Sequence, residues 1–260
     1  MSGAGLDAFY GAPRRVEITE QDLPIPGLSS GLGGLRIAHL SDIHLYDGLH
    51  AAARRAMEIL ALARPDIVLV TGDRTENIGQ LPEVGAFLAG CRGRLATVVT
   101  MGNWEHEVGI TPEMMERTCN RAGVTFLLNQ TLVVSAESDA VALVGLDDPS
   151  KGTADPAEAL RDLPEDAFTL WGFHAPGYAD RLRRTSFPKP DLILAGHTHG
   201  GQIRLPFVPA VTPRGSGRFV AGWYWDAFAP LYVNRGVGVT AIRARFRCPP
   251  EVAIFSLRTG

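Results

Sequence analysis

Seven residues whose side chains can ligate a metal ion fall in five short segments: Ser41-Asp-Ile-His44, Gly72-Asp73, Gly102-Asn103, His174 and Gly196-His-Thr-His199. The candidate ligands are Asp42, His44, Asp73, Asn103, His174, His197 and His199. Carboxylates, imidazoles and an amide together suit a pair of hard divalent cations, and such a pair can hold a phosphate, activate a water and stabilise a leaving oxygen. Singly, most of these segments are weak signals. An aspartate after a strand often caps a helix, Gly-Asp is a common turn pair, an asparagine after glycine suits a left-handed turn, and a lone histidine is usually a satisfied core residue. Gly196-His-Thr-His-Gly-Gly201 is more specific, because two imidazoles flanked by glycines let the backbone bend around an ion. The weight lies in their joint occurrence.

The elements that must position these residues follow a repeated pattern. Leu35–Leu40 is a short apolar strand leading into Asp42 and His44; Asp66–Val70 leads into Asp73, Leu95–Thr100 into Asn103, Phe168–Phe173 into His174, and Asp191–Ala195 into His197 and His199. Ligands in α/β sheets gather at the carboxyl ends of strands, so this placement supports a shared site. Between the strands, 50–63 fits a helix with Ala53, Ala56, Leu60 and Ala63 on one stripe, stopped by Pro65. Further helices are expected near 81–90, over 112–122 with Thr111 as N-cap, and near 177–184. An irregular strand around Val16, Ile18 and Leu23, a turn-rich Gly27–Gly34 segment, strands at 124–128, 131–135 and 140–146, and tail strands near 218–222, 230–234 and 252–257 complete the reading. Alternating strands and helices followed by strand-rich stretches fit an α/β fold of two packed mixed sheets covered by helices. Residues 1–13, small and glycine-rich, read as a flexible arm, and 14–260 as a single domain, since the motifs run from 42 to 199 without a linker-like break.

The 260 residues are 45% hydrophobic and 20% charged, ordinary for a globular chain with a sizeable core. A net charge of −3 gives no general attraction to nucleic acid or to an anionic membrane surface. Cys91, Cys119 and Cys248 lie far apart without a Cys-x-x-Cys pair, so neither a structural zinc site nor a disulfide framework is indicated. Neither an export signal nor an apolar run of membrane-spanning length is evident, and a cytoplasmic protein is expected. Oligomeric state is left open.

Asp-x-His, Gly-Asp, Gly-Asn, His and Gly-His-x-His in this order resemble the calcineurin-like metallophosphoesterases, over most of the chain. Gly196-His-Thr-His-Gly-Gly-Gln-Ile-Arg-Leu-Pro206, with Tyr232-Val-Asn-Arg-Gly-Val-Gly238 and Arg247-Cys-Pro-Pro-Glu251, is similar to the YkuE/YaeI-like branch of bacterial phosphodiesterases. The resemblance implies a four-layer α/β/β/α sandwich of two mixed β-sheets flanked by helices. It also implies that Asp42, His44 and His199 hold one cation, that Asn103, His174 and His197 hold the other, and that Asp73 bridges them. Oxygen and imidazole ligands suit manganese, iron or zinc and do not choose among them. The implied activity is hydrolysis of a phosphate ester, a diester in preference to a monoester, with Asp73 and Asn103 in the catalytic centre.

One position departs from the family. Gly-Asn-His-Glu/Asp reads Gly102-Asn-Trp-Glu105 here, and the missing imidazole is the one credited with protonating the leaving group. An indole cannot replace it, and general acids of this kind contribute about 10²–10⁴-fold. Three readings stay open: His106 serves as the acid, the leaving group needs little protonation, or turnover is slow. Glu105 either orients a neighbouring histidine or faces solvent. Asp147 and Asp148 approach the site from a loop or are solvated, Arg235 is a candidate substrate contact, and His39 suits support of a ligand rather than coordination. Arg243, Arg245 and Arg247 would share one face of a strand, and Trp223, Tyr224 and Trp225 form an aromatic cluster for packing or stacking. The competing functions are a metal-binding scaffold with little turnover and a nuclease, the latter disfavoured by the absence of an obvious basic groove.

Overall fold

In a computed structural model of the chain, residues 7–137 and 139–260 are described. Residues 1–6 of the expected arm lie outside them. Asp7–Gly11 and Ala12–Arg14 are helical turns, and the carbonyl of Ala8 accepts a hydrogen bond from the Arg245 amide at 2.9 Å.

Two six-stranded sheets form the body. The first comprises β1 (Glu17–Ile25), β2 (Arg36–Leu40), β3 (Ile67–Thr71), β4 (Ala96–Thr100), β5 (Thr125–Phe126) and β12 (Glu251–Thr259), in spatial order β1-β12-β2-β3-β4-β5. β2 to β5 run parallel, while β12 enters antiparallel to β2 and carries β1 parallel to itself. The second comprises β6 (Gln130–Ala136), β7 (Asp139–Gly145), β8 (Phe168–Gly172), β9 (Leu192–Ala195), β10 (Gly222–Tyr224) and β11 (Leu231–Val233), in order β10-β11-β9-β8-β7-β6. Its four central strands are parallel and its two edges antiparallel.

Strand periodicity sorts the apolar residues into layers. Ile37 in β2, Leu69 in β3, Val98 in β4, Leu143 in β7, Leu170 in β8 and Leu194 in β9 meet between the sheets. Their neighbours Ala38, Val68, Val70 and Val99 face outward onto helices α1 (Ala51–Ala63), α2 (Leu81–Gly90) and α4 (Pro112–Ala122), through Ala53, Ala56, Leu60, Phe87, Leu88 and Met115. On the other outer face Trp171, Ile193 and Leu231 are covered by α5 (Pro156–Ala159), α6 (Tyr178–Leu182) and the loop residues Phe219 and Phe228. The architecture is therefore an α/β/β/α sandwich whose second helical layer is thin and largely built of loops.

The helix signals correspond to local chemistry. The Thr111 hydroxyl accepts from the Met114 amide at the start of α4, and Gly123 closes it with a left-handed φ of 67°. The His50 Nδ1 accepts from the Ala53 amide at the start of α1, and Arg64 ends it before Pro65. Several expectations change. β1 is a regular nine-residue strand, because every residue of it pairs with β12, a partner far away in sequence. The strand expected at 218–222 lies instead at Gly222–Tyr224, and that at 124–128 shrinks to two residues. Helix α3 (Asn103–Glu107) and α5 are too short to show a stripe. Residues 242–247 form no strand. Ala241 and Arg247 sit at left-handed φ values of 55° and 53°, and Arg245 is fully buried between exposed Arg243 and Arg247. The guanidinium of Arg245 donates to the carbonyls of Arg235, Gly236, Gly238 and Cys248, so it tethers a loop.

Candidate metal centre

The carboxyl ends of β2, β3 and β4 in one sheet and of β8 and β9 in the other converge, and their loops bring six of the seven candidate ligands into two buried triads. Asp42, His44 and His199 form one and Asp73, His174 and His197 the other, with the ligand atoms of each within 4.8 Å of one another. The triads adjoin. His174 Nε2 lies 3.0 Å from Asp73 Oδ2 and 3.8 Å from Asp42 Oδ1, and His44 Nε2 lies 3.6 Å from Asp73 Oδ2. Asp73 Oδ2 thus faces imidazoles of both groups. The seventh candidate, Asn103, shares a cavity wall with His197.

The donor set fits cations. Asp42 Oδ1, His174 Nε2 and Asn103 Oδ1 are buried without a hydrogen-bond partner, an arrangement that costs free energy unless something else satisfies them. His44 Nε2 and His199 Nε2 point at one another across 3.0 Å. The opposite ring nitrogens set the tautomers. His174 Nδ1 donates to the Thr71 carbonyl at 2.8 Å, leaving its Nε2 lone pair free, and His197 Nε2 donates to the Arg214 carbonyl at 2.7 Å, leaving Nδ1. Glu76 Oε1 lies 3.2 Å from His44 Nδ1.

Electrostatics point the same way. Burial alone would make His44 and His174 less basic, but the carboxylates facing them outweigh it. His44 rises to about 9 through Asp42, Glu76 and Asp73, and His174 to about 10 through Asp73 and Asp42. Burial also opposes ionisation of Asp42, yet His199, His174 and His44 bring its pKa far below the usual carboxylate range. Burial dominates at His199 and His197 and makes both less basic. The cluster carries an excess of buried negative charge that attracts protons or cations, which compete for the same lone pairs.

The backbone is strained where the ligands sit. Asp42, His44, Asp73, His197 and His199 all adopt left-handed φ between 47° and 71°. Such strain persists only where surrounding structure enforces it, and it concentrates at functional sites. Here the enforcement is visible. The His197 amide donates to Asp42 Oδ2 at 2.9 Å, the Ser41 hydroxyl to the Thr71 carbonyl at 2.7 Å, and the Gly238 amide to the Asp42 carbonyl at 2.6 Å. A Cβ on Gly196 would stand 1.7 Å from Ser41 Oγ, so only glycine lets these loops meet.

Glu105 is neither solvent-facing nor bonded to a histidine. It is fully buried, and its carboxylate accepts from the amides of Asp73, Arg74 and Gly102 at 2.6–2.9 Å. It also pairs at 3.2 Å with the buried Arg74, whose guanidinium donates to the Thr100 carbonyl. Arg74 had no motif to mark it, and Asn234 lay in the Tyr232–Gly238 segment without an assigned role. Asn234 is buried, and it ties the 234–238 loop to the His39 carbonyl and to the Gly236 amide. The His39 ring bonds Thr71 Oγ1 at 2.8 Å, and burial lowers its basicity to about 3.

Trp104 stands edge-on to His44, with ring centres 5.9 Å apart, and its amide donates to Asp73 Oδ1. His106 Nε2 lies 2.7 Å from Asp147 Oδ1, and this contact makes the half-buried imidazole more basic than usual. Asp148 is fully buried, with Oδ2 bonded to Ser150 and the Lys151 amide. Both terminal nitrogens of Arg235 have carboxylate partners, Glu17 at 3.1 Å and Glu251 at 3.2 Å, so a substrate contact would have to exchange one of them. Trp223 stacks on Trp225, packs edge-on to Tyr232 and Phe255, and donates to Gln21, joining the sheets at their edge. The three cysteines are free and buried.

A cavity of about 800 Å³ opens beside the Asp73 triad. Asn103, Lys151, Tyr178, Arg181, His197 and Arg214 line it, a polar and cationic wall suited to an anion larger than free phosphate. A mainly apolar hollow of about 550 Å³ between α2 and α4 contains no candidate ligand.

The uncharacterized metallophosphoesterase YkuE of Bacillus subtilis is 31% identical to this chain, covering 97% of it and 89% of the relative. The phosphodiesterase YaeI of Escherichia coli is 32% identical, covering 75% and 71%. A solved structure of the phosphopantetheinyl hydrolase PptH of Mycobacterium tuberculosis aligns with a TM-score of 0.46 at 14% identity, covering 77% of this chain and 89% of that one. The calcineurin-like phosphoesterase family model matches residues 35–201, the span that holds every candidate ligand. Paired triads at the strand ends of a two-sheet sandwich thus coincide with the family's matched span, and the chain belongs to the calcineurin-like phosphoesterases.

Proposed function

We propose that the protein is a two-metal phosphodiesterase. The observation that carries this reading is the meeting of the triads at buried ligand atoms, with Asp42 Oδ1 and Asn103 Oδ1 lacking a hydrogen bond and His174 Nε2 facing only carboxylates of the same cluster. Asp42, His44 and His199 would hold one divalent ion, and His174, His197 and Asn103 the other, with Asp73 shared. When bound, such ions neutralise phosphate charge and supply an acidified water for in-line attack at phosphorus. The chain's own contribution is placement and proton supply. The Thr71 and Arg214 carbonyls fix the imidazoles of His174 and His197. Arg181 and Arg214 on the cavity wall, with Lys151 paired to Glu107 beside them, favour the anionic phosphate end of a substrate. His106, made more basic by Asp147, is the nearest replacement for the imidazole lost at Trp104 and would protonate the leaving oxygen.

The preference for a diester is drawn from the similarity to YaeI, a phosphodiesterase. Its test is the initial rate on bis-p-nitrophenyl phosphate and on p-nitrophenyl phosphate after reconstitution with manganese, iron or zinc. Fast diester and slow monoester turnover is expected. The reverse order would make the protein a monoesterase, and no turnover with two ions bound would leave a metal-binding scaffold.

A further inference from the structure

Beside the metal centre the molecule exposes apolar side chains that its own core does not use. Leu205, Phe207, Val208, Val211 and Ile242 each expose more than half of their surface, Val211 81% and Phe207 all of it. With His199 and Thr198, all of these but Phe207 border an apolar groove of about 560 Å³. The groove thus begins at a candidate metal ligand and ends on the exposed loop. Phe207 occupies the tip of that loop at a φ of 64°, an unfavourable conformation for a bulky residue, although its ring gains no internal packing there. The platform is fixed to the site by Gln202. Its side chain donates to the carbonyls of Thr240 and Ile242 and accepts from the Thr240 amide, so the loops at 203–212 and 240–242 move as one with His199.

The segment that carries this surface is rich in arginine, although Arg245 is buried and Arg218 and Arg235 are paired with carboxylates. Residues 192–250 contain seven arginines and a single acid, Asp226, in a chain whose net charge is −3. Arg204 and Arg214 bracket the apolar loop and Arg243 follows Ile242. Among the described residues Arg204, Arg214, Arg243 and Arg247 form no ion pair. Protruding apolar side chains with cations around them suit a bilayer interface, where the chains enter the acyl boundary and the arginines meet anionic headgroups.

We propose that the loop 203–212, with Ile242, docks the protein on an anionic lipid surface and turns the metal centre toward the headgroups. Its consequence for substrate, a phosphate ester carried by a lipid, rests on the phosphodiesterase reading; the docking itself does not. The test is flotation of the full chain with equimolar phosphatidylglycerol and phosphatidylcholine vesicles, against pure phosphatidylcholine. Wild type is expected to float with the anionic vesicles and to release in high salt. The double variant Phe207→Asp/Val208→Asp is expected to lose about tenfold or more in bound fraction, with unchanged rate on a soluble diester. Phe207→Gly, which relieves the left-handed backbone, should stay folded by circular dichroism and also bind less. Failure of wild type to float, equal flotation of the double variant, or equal flotation on phosphatidylcholine would overturn the proposal. So would a wild-type dimer in light scattering that the double variant converts to monomer, since the surface would then serve self-association. Loss of soluble-diester turnover in wild type, with flotation intact, would remove the phosphodiesterase reading and leave the docking surface standing.

Discussion

At the residue scale the two carboxylates of the centre differ in how they are used. Asp73 Oδ1 is occupied by the Trp104 amide while Oδ2 faces His44 and His174. Asp73→Asn keeps an oxygen for the Trp104 amide, so the loop should survive, but a neutral amide cannot span two cations. Metal content by mass spectrometry and diester turnover should both fall, turnover by about 10²-fold or more; wild-type rate with two ions bound would rule out bridging. His106 offers a second test. Its basicity is raised chiefly by the hydrogen bond to Asp147, with burial opposing, so it stays protonated to higher pH than a free imidazole. A proton donor must be protonated, so activity should fall as pH rises through the His106 constant. Asp147→Asn should shift that basic limb to lower pH, and His106→Gln should remove about 10²–10⁴-fold of rate. An unmoved limb in Asp147→Asn would exclude His106 as the acid. The same raised pKa stabilises the folded state below the ordinary histidine range, and that contribution is lost as pH climbs through the folded value.

At the element scale the strands deliver ligands only because their loops are laced together. Glu105, on α3, draws the β3 and β4 loops into one body through three backbone amides and Arg74. The carboxylate stays ionised despite full burial, because Arg74 and those amides outweigh the burial. Glu105→Gln has one acceptor oxygen for amides that now use two, and it leaves Arg74 buried without its counter-charge. A loss of about 3–5 kcal/mol is expected, with metal affinity about 10–100-fold weaker. Thermal unfolding and a metal titration read these separately; an unchanged affinity would make Glu105 a stability residue alone. A Cβ at Gly102 would lie 2.4 Å from the Asp73 amide, so this junction has no room for a side chain. At the other end, Glu251 opens β12, accepts from Tyr232 of β11 and Thr19 of β1, and pairs with Arg235, joining both sheets beneath the 234–238 loop.

At the scale of the whole molecule, the site lies where both sheets end, so ions that bind only the folded chain stabilise the entire sandwich. An ion at a hundred times its dissociation constant adds about 2.7 kcal/mol, or about 5–10 °C in unfolding temperature for a chain of this size. Chelation should therefore lower the unfolding temperature and returning the metal should restore it; no change would mean that the triads bind too weakly to matter. No described helix is long and apolar enough to cross a membrane.

Much of this was legible in the sequence because it is local. The continuous apolar runs in Ile67–Thr71 and Leu192–Ala195, the Thr111 cap and the Pro65 stop depend on neighbours along the chain, and the ligand motifs lie within single loops. The pairing of those loops is not local. Asp42 and His197 are 155 residues apart, and nothing in either segment states that the amide of one bonds the carboxylate of the other. Glu105 and Arg245 look like surface charges until the fold surrounds them, because burial is decided by distant backbone groups that consume every donor and acceptor. No motif marks the loop at 203–212 as exposed, and only the tertiary structure turns Leu205, Phe207, Val208 and Val211 outward. The sequence by itself determined which atoms could bind metal and which strands would present them; long-range hydrogen bonding and packing alone decided that they meet, in what geometry, and what surface surrounds them.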